Sequence, residues 1–464
     1  MKQNKEICQE VNVRKLALDL MIQIMEDGVF YDKALHHCLE KYPMEKRDRS
    51  FLSRLVGGSV ERCMELDYVI DQFSKIIVQK MKPVIRNILR ISVYQILYMD
   101  QVPDSAVCNE AVKLTVKRKF HNLKGFVNGV LRTIVRKKEE IPYPDRADTL
   151  RFLSVRYSMP EWLTRRFLTQ FGEERTEKIL QSFLEDKGGT SVRCNLSVTT
   201  LSEMEECLQK QDVCVKKGTL LPYARHIYRY PSLKELEAFQ KGMFQVQDES
   251  SMLVGEIADV KKGNLVIDVC AAPGGKTFHV ADKLASYASK ASDEAGMVFS
   301  CDLTSEKTDL IRENKKRLGC HNVEIFVNDA TVLREEWVCK ADLVIADLPC
   351  SGLGVIGKKC DIKYKTKEED ITSLAAIQRE ILKVVSQYVK PGGKLIFSTC
   401  TIAEEENQNN VQWIKENLPF VTLSIEDKLP KCLQRGTGKD GYLQVLPDVA
   451  DSDGFFLSMF ERKR

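Results

Sequence analysis

Three patterns of apolar and polar positions follow one another along the chain. Up to about residue 140, apolar residues recur every three or four positions, as in "VRKLALDLMIQIMEDG" and "VIRNILRISVYQILYMDQVP". That spacing predicts amphipathic helices, and so an all-helical region of ordinary domain size over residues 1–140. "EEIPYPDRA" (139–147), with two prolines, reads as a linker. Residues 141–245 are mixed. "PEWLTRRFLTQFGEERTEKILQSFL" is helical with Pro160 at its start, and "TSVRCNLSVTTLSEMEECLQKQ" reads as strand, Ser or Thr cap, then helix. From 246 to 464 the pattern alternates between strand and helix. The strand-like runs are "NLVIDVC", "MVFSCD", "VEIFVND", "ADLVIADLP" and "GGKLIFSTC", separated by helical segments such as "SEKTDLIRENKKRLG". Continuous apolar strands alternating with helices predict a mostly parallel sheet covered on both faces. "SYASKASDEAG" (286–296) reads as a polar loop between the first helix and the second strand.

Composition narrows this picture. The chain has 464 residues, 43% hydrophobic and 29% charged. No apolar run approaches the roughly 20 residues that span a bilayer, and the opening residues lack the apolar core of a secretory leader. None of the fifteen cysteines forms a C-x-x-C pair, which argues against a disulfide framework or a zinc ribbon. Reduced thiols in a cytoplasmic protein are expected. Cys63, Cys194 and Cys339 are expected to be small buried hydrophobes. Net charge is only +4, but residues 111–138 carry nine Lys or Arg and no acid. On helices these bases form either a solvated face or a phosphate-contacting surface.

Candidate chemistry clusters at strand ends, where open parallel sheets bind ligands. "DVCAAPGGK" (268–276) supplies small residues and glycines that let a ligand approach backbone amides. The first glycine of a P-loop is missing, so a nucleoside ligand without a triphosphate fits better. Asp302 ends the second strand and Asp329 the third; an acid there accepts hydrogen bonds from ribose hydroxyls. Singly, each could be a helix cap or turn former. Lys276 could contact the substrate or the catalytic acid, or merely solvate a helix start. "ADLVIADLPCSGLG" (341–354) ends a strand in Asp347, Pro349 and Cys350, and "GGKLIFSTCTIAEEEN" repeats that layout at Cys400. Two candidate nucleophiles thus occupy matching positions.

Together, "DVCAAPGGKTFH", "DLPCSGLGVI", "STCTIAEEEN" and "LQVLPDVADSDGFF" resemble the motifs of RNA cytosine-C5 methyltransferases, and most closely the Sun/RsmB family. The helical N-terminal region is similar to the NusB-like RNA-binding domain of that family, so the likeness spans essentially the whole chain. The loop at 286–296 is longer than the family pattern. The resemblance implies a Rossmann-like core with a seven-stranded, mostly parallel sheet, over residues 246–464. Before it stand an N-terminal all-α NusB-like domain and a small α/β middle module. The implied cofactor is S-adenosyl-L-methionine, held by Cys270, Ala271, Ala272, Pro273, Gly274, Gly275, Lys276, Asp302, Asp329 and Asp347.

The implied reaction methylates carbon 5 of a cytosine in 16S ribosomal RNA, at position 967 in the family's usual target. The substrate would be unassembled or early-assembly RNA rather than DNA, with no membrane involved. A thiolate adds to carbon 6, which makes carbon 5 nucleophilic, and the base must first leave its stack. By the resemblance Cys400 attacks, Cys350 helps release the product, and Asp347 holds the N3/N4 edge of the cytosine. The residues alone do not select the nucleotide. A transfer-RNA or 23S ribosomal RNA methyltransferase, or a non-catalytic NusB-like assembly factor, remain the alternatives. Two intact cysteine motifs speak against the last, because pure binding needs neither thiol.

Overall fold

In a computed structural model, residues 12–185, 189–230, 232–287, 295–434 and 436–464 are described. Contacts divide the chain into two compact units, Met1–Leu184 with Ile356–Thr366, and Glu185–Val355 with Lys367–Arg464.

The first unit is helical because its apolar positions repeat with helical period. The helix Val13–Met25 buries Ala17, Leu18, Leu20, Met21 and Ile24 along one stripe. The helix Pro83–Tyr98 starts on a proline and buries nearly its whole circumference, from Ile85 to Ile96, so it runs through the middle of the bundle. Its buried Arg90 pairs with both oxygens of Asp67 at 2.7 Å. The segment expected to be a linker at 139–147 is instead packed. Tyr143 stacks on Tyr68 and its hydroxyl donates to Glu65 at 2.8 Å. Glu65 is buried and also accepts from Arg62, Tyr98 and Arg156. The helices Thr149–Arg156, Glu161–Phe171 and Glu173–Leu184 therefore belong to this compact unit. A distant segment joins them: Asp361 accepts from Tyr31 N at 2.9 Å, and Lys363 Nζ donates to Glu61 O at 2.6 Å.

The second unit begins with a four-stranded antiparallel sheet. Its strands are β1 (Thr190–Cys194), β2 (Cys214–Lys217), β3 (Ala224–Tyr228) and β4 (Phe244–Val246), in the order β2-β3-β1-β4. Thr200 caps the intervening helix Leu201–Gln209, and Glu203 completes the capping box. The main sheet comprises β5 (Leu265–Asp268), β6 (Met297–Asp302), β7 (Val323–Val327), β8 (Ala341–Asp347), β9 (Val389–Thr399), β10 (Phe420–Thr422), β11 (Tyr442–Val445) and β12 (Phe455–Arg462). Its order is β10-β12-β9-β8-β5-β6-β7. Strands β5 to β9 pair in parallel, and β12 runs antiparallel to β9. This is the expected Rossmann-like core with one addition. Strand β11 extends the edge of β12 that β10 begins, giving eight strands rather than seven. The chain order reverses between β5 and β8, which opens a crevice at their carboxyl ends.

Candidate active site

The glycine-rich turn follows β5 and opens the helix Gly275–Ala285. Gly274 sits at φ +101°, and a Cβ there would lie 2.3 Å from the Phe278 ring, so only glycine fits without strain. Asp302, at the end of β6, accepts from Ala272 N at 2.9 Å and from Leu303 N at 2.8 Å. Lys307 lies 3.0 Å from the same carboxylate. A carboxylate offers about four lone-pair sites, so this one can also accept from a ribose diol. Asp268 is fully buried beneath the turn. Its Oδ2 accepts from Thr277 at 2.7 Å, while Oδ1 has no partner among the described residues. Burial pushes its carboxyl up to about 7, against the lowering effect of Thr277. An orphaned acceptor, a strand-end acid and a cradle that a Cβ would fill suit a nucleoside ligand with an amino-acid end. Cys270, Ala271, Ala272, Pro273, Gly275 and Lys276 lie along this same turn.

Asp329 differs from Asp302. It lies two residues beyond β7, is exposed, and its Oδ1 accepts from Thr331 N at 2.9 Å and Thr331 Oγ1 at 2.7 Å. Those bonds hold its carboxyl below the usual range. Lys276 is not simply solvating a helix start. Its ammonium reaches Asp347 Oδ2 at 2.6 Å and stands 5.1 Å over the Phe455 ring. Ser398 Oγ donates to the other oxygen of Asp347 at 2.7 Å, so both oxygens of the carboxylate are fixed.

Parallel register brings the two cysteines together. Asp347 of β8 pairs with Ser398 of β9. Cys350 follows three residues after the first and Cys400 two after the second, and their sulfurs lie 3.3 Å apart. The neighbouring Cys400 sulfur, and then burial, push the Cys350 thiol well above its ordinary value. The two sulfurs are within hydrogen-bond reach of one another, and either thiol can be the donor.

Residues without an assigned part in the sequence reading hold this pair. Glu406 is fully buried and accepts from Ser351 N at 2.9 Å, from Ser351 Oγ, and from Gln378 Nε2 at 2.9 Å. Ser351 Oγ is also 2.7 Å from Thr401 Oγ1. Asn407 accepts from Thr399 Oγ1 at 2.6 Å and donates to Thr401 O at 3.0 Å. Gly354 N donates to Cys400 O at 3.0 Å, and Gly454 N to Gly354 O at 2.9 Å. The visible signal for these residues was their place inside "STCTIAEEEN", "DLPCSGLG" and "SDGFF", but nothing local marks the third acid of "EEEN" as the buried one.

Cys63 and Cys194 are buried as expected, whereas Cys339 is exposed. It sits at φ +56° in the loop before β8, which turns its side chain out to Arg462. In the first unit, Val127, Val130, Leu131 and Ile134 pack inward while Lys117, Lys119, Lys124 and Lys137 are exposed. Among the described residues these four lysines carry no ion pair, which leaves a basic face. Most of the loop at 286–296 (residues 288–294) lies outside the described residues.

Residues 256–461 match the family described as 16S rRNA methyltransferase RsmB/F, and residues 11–136 match the NusB family. The probable ribosomal RNA small subunit methyltransferase B of Bacillus subtilis is 34% identical over 459 residues, covering 98% of this chain and 100% of that protein. The ribosomal RNA small subunit methyltransferase B of Proteus mirabilis is 28% identical, over 97% of this chain and 99% of that one. Among solved structures, PH0851 superposes with a TM-score of 0.79 at 24% identity, covering 97% of this chain and 99% of that one. NSun6 from Pyrococcus horikoshii with SFG superposes with a TM-score of 0.57 at 22% identity, over 66% of this chain and 98% of that one. At these identities the two structures share the fold.

Proposed function

This chain belongs to the ribosomal RNA small subunit methyltransferase B family and is an S-adenosylmethionine-dependent rRNA methyltransferase, and we propose that it methylates carbon 5 of a cytosine in 16S ribosomal RNA, at position 967. The turn at 270–276, with Asp302 and Asp347, would hold the cofactor, which when bound supplies the electrophilic methyl group. Asp302 would take the ribose hydroxyls. Asp329, whose carboxylate already binds Thr331, would lie at the outer edge of that site.

The remaining chemistry falls to side chains of the crevice. Cys400 adds its thiolate to carbon 6, and the ring double bond moves toward carbon 5. Asp347, steadied by Lys276 and Ser398, would accept from the N4 amino group and orient the base, while the Lys276 ammonium beside it would offset negative charge developing on the ring. Once carbon 5 carries the methyl group, its proton leaves as the sulfur–carbon bond breaks and the 5,6 double bond is restored; Cys350 would hand its own proton to the departing Cys400 sulfur and take up the carbon 5 proton in its place. The observation that carries the reading is the pair of cysteine sulfurs 3.3 Å apart beyond the ends of β8 and β9. The basic face of the helical unit would contact RNA phosphates, with cytoplasmic 16S RNA, unassembled or early in assembly, as the partner.

Methyl-labelled S-adenosylmethionine with unmodified 16S RNA, free or in 30S particles, tests the substrate. Label should appear on carbon 5 of cytosine 967 with free RNA. Label on transfer RNA or 23S RNA alone would overturn the target, and none on any RNA the activity. Cys400→Ala should abolish methylation and covalent adduct. Cys350→Ala should let a protein–RNA adduct accumulate. Exchanged outcomes would reverse the two roles.

A further inference from the structure

The two active-site loops carry the same pair of residue types, a cysteine followed by a hydroxyl: Cys350-Ser351 and Cys400-Thr401. They face one another in two tiers. The sulfurs meet at 3.3 Å and the hydroxyls at 2.7 Å. The local chemistry of the two thiols is therefore nearly symmetric. The symmetry breaks at Glu406, whose carboxylate binds both the backbone N–H and the hydroxyl of Ser351. No amide of the Cys400 loop donates to that carboxylate among the bonds described for it. From the Cys400 loop only the Thr401 hydroxyl bonds the carboxylate among the described contacts, and it also lies 2.7 Å from Ser351 Oγ.

Resting on the two-cysteine reading above, we propose that Glu406 is the positioning residue that makes the two thiols unequal, holding Cys350 as the protonated partner and leaving Cys400 to attack. Ser351 N, Ser351 Oγ, Gln378 Nε2 and the Thr401 hydroxyl converge on its oxygens, as suits an ionised acceptor. Asn410 Nδ2 holds Gln378 Oε1 at 2.7 Å, and Arg379 Nε holds Asn410 Oδ1 at 2.8 Å, so no cation bonds the carboxylate directly among the described contacts. An unneutralised buried charge acts strongly on its surroundings. Beside the residue that follows Cys350, it opposes a second negative charge on that sulfur. Glu406 touches neither substrate nor reacting atoms; it acts through the loop it grips. The hydroxyl ladder sets the spacing of the sulfurs, and the charge sets their order.

The test is the rate at which limiting iodoacetamide alkylates each thiol at neutral pH, read by peptide mass spectrometry on the full-length protein. Wild type should react first at Cys400. Glu406→Gln keeps the size and the bonds accepted at Oε1 but removes the charge, and should lower the Cys400-over-Cys350 preference by about tenfold, the effect of about one pKa unit. Ser351→Ala severs the ladder but keeps the charge, so it should slow methylation while retaining the preference. An unchanged preference in Glu406→Gln, or an equal loss in Ser351→Ala, would overturn the proposal. If Glu406→Gln does not fold, Glu406→Asp decides: with the charge present it must keep the wild-type preference, and losing it overturns the proposal. Failure of the underlying reading looks different. There, Cys400→Ala would still methylate RNA, whatever the alkylation pattern.

Discussion

Replacing Gly354 by alanine should disable the site more severely than any other single methyl group added there. Gly354 is not in the left-handed region, so the objection to a side chain is contact alone. An ideal Cβ would lie 2.1 Å from Gly454 O, 2.6 Å from Gly454 C and 2.8 Å from Cys400 O. All three are backbone atoms that no rotamer can move. Real Cβ contacts essentially never fall below 3.0 Å, so the Gly454 carbonyl must retreat by about 0.9 Å (3.0 less 2.1). That retreat strains two bonds, Gly354 N to Cys400 O and Gly454 N to Gly354 O. Each buried group left unsatisfied costs about 1–3 kcal/mol, so the fold should lose about 2–6 kcal/mol if both break. The catalytic loss follows from the same movement. The displaced Cys400 carbonyl belongs to the proposed nucleophile, and a misplacement of about 1 Å is worth roughly a hundredfold in rate. Single-turnover transfer of labelled methyl, together with urea unfolding, measures both. Gly454→Ala is the control: its Cβ would meet Gly354 Cα at 2.8 Å, but also the Ile402 and Pro447 side chains at 2.9 and 3.0 Å, which can give way. It should be the milder change. A Gly354→Ala protein with near-wild-type rate and stability, or one less damaged than Gly454→Ala, would refute the reasoning.

Three further outcomes follow from other parts of the molecule. Gly274→Ala, which combines φ +101° with a 2.3 Å approach to Phe278, should weaken S-adenosylhomocysteine binding by about tenfold or more, measured by calorimetry. Burial pushes the Asp268 carboxyl up to about 7 in the fold, against about 3.9 for an exposed aspartate. Between those values only the folded state keeps the proton, so this group makes stability fall as pH rises, by at most about 1.4 kcal/mol per pH unit. Below that range both states are protonated and the penalty vanishes. Asp268→Asn should therefore flatten the decline in unfolding free energy from pH 5 to pH 8, and an unaltered slope would contradict the titration. Glu65→Ala strands Arg62 and the hydroxyls of Tyr98 and Tyr143, and should destabilise the helical unit by about 3–5 kcal/mol in urea unfolding.

Strand ends were legible because the features that mark them are local. An apolar run that stops at an acid or a cysteine fixes which residue faces the crevice, and so Asp268, Asp302, Asp347, Cys350 and Cys400 stand at or just beyond their strands. Helical period equally fixed the inward faces of Val13–Met25 and Lys124–Lys137. What escaped depends on chain segments far apart. The docking of Asp361 and Lys363 among the helices joins residues some 300 positions apart, as Lys363 to Glu61 shows with a separation of 302. No periodicity carries that information. The prolines of 139–147 suggested a linker, yet Tyr143 found a buried carboxylate to bind. Strand β11 is only four residues long, and it is a strand because β12 offers it an edge.

The two cysteines show the same division in one site. Their surroundings along the chain are alike: an apolar strand, a short turn, a cysteine, a hydroxyl. Local sequence can therefore establish that there are two candidate nucleophiles but has no physical basis for ranking them, and the resemblance to a family supplied the ranking instead. The asymmetry lies in Glu406, 55 residues beyond Ser351, whose carboxylate bonds both the backbone and the hydroxyl of Ser351 but only the hydroxyl of Thr401 among the described contacts. In "EEEN" three consecutive acids look interchangeable. Two of them, Glu404 and Glu405, remain at least partly exposed, and only the third is fully buried behind the sulfurs. Its burial is set by the short helical turn Glu404–Glu406 meeting the loop after β8. A single charge placed by tertiary contact can thus divide the labour between two side chains that the sequence presents as equals.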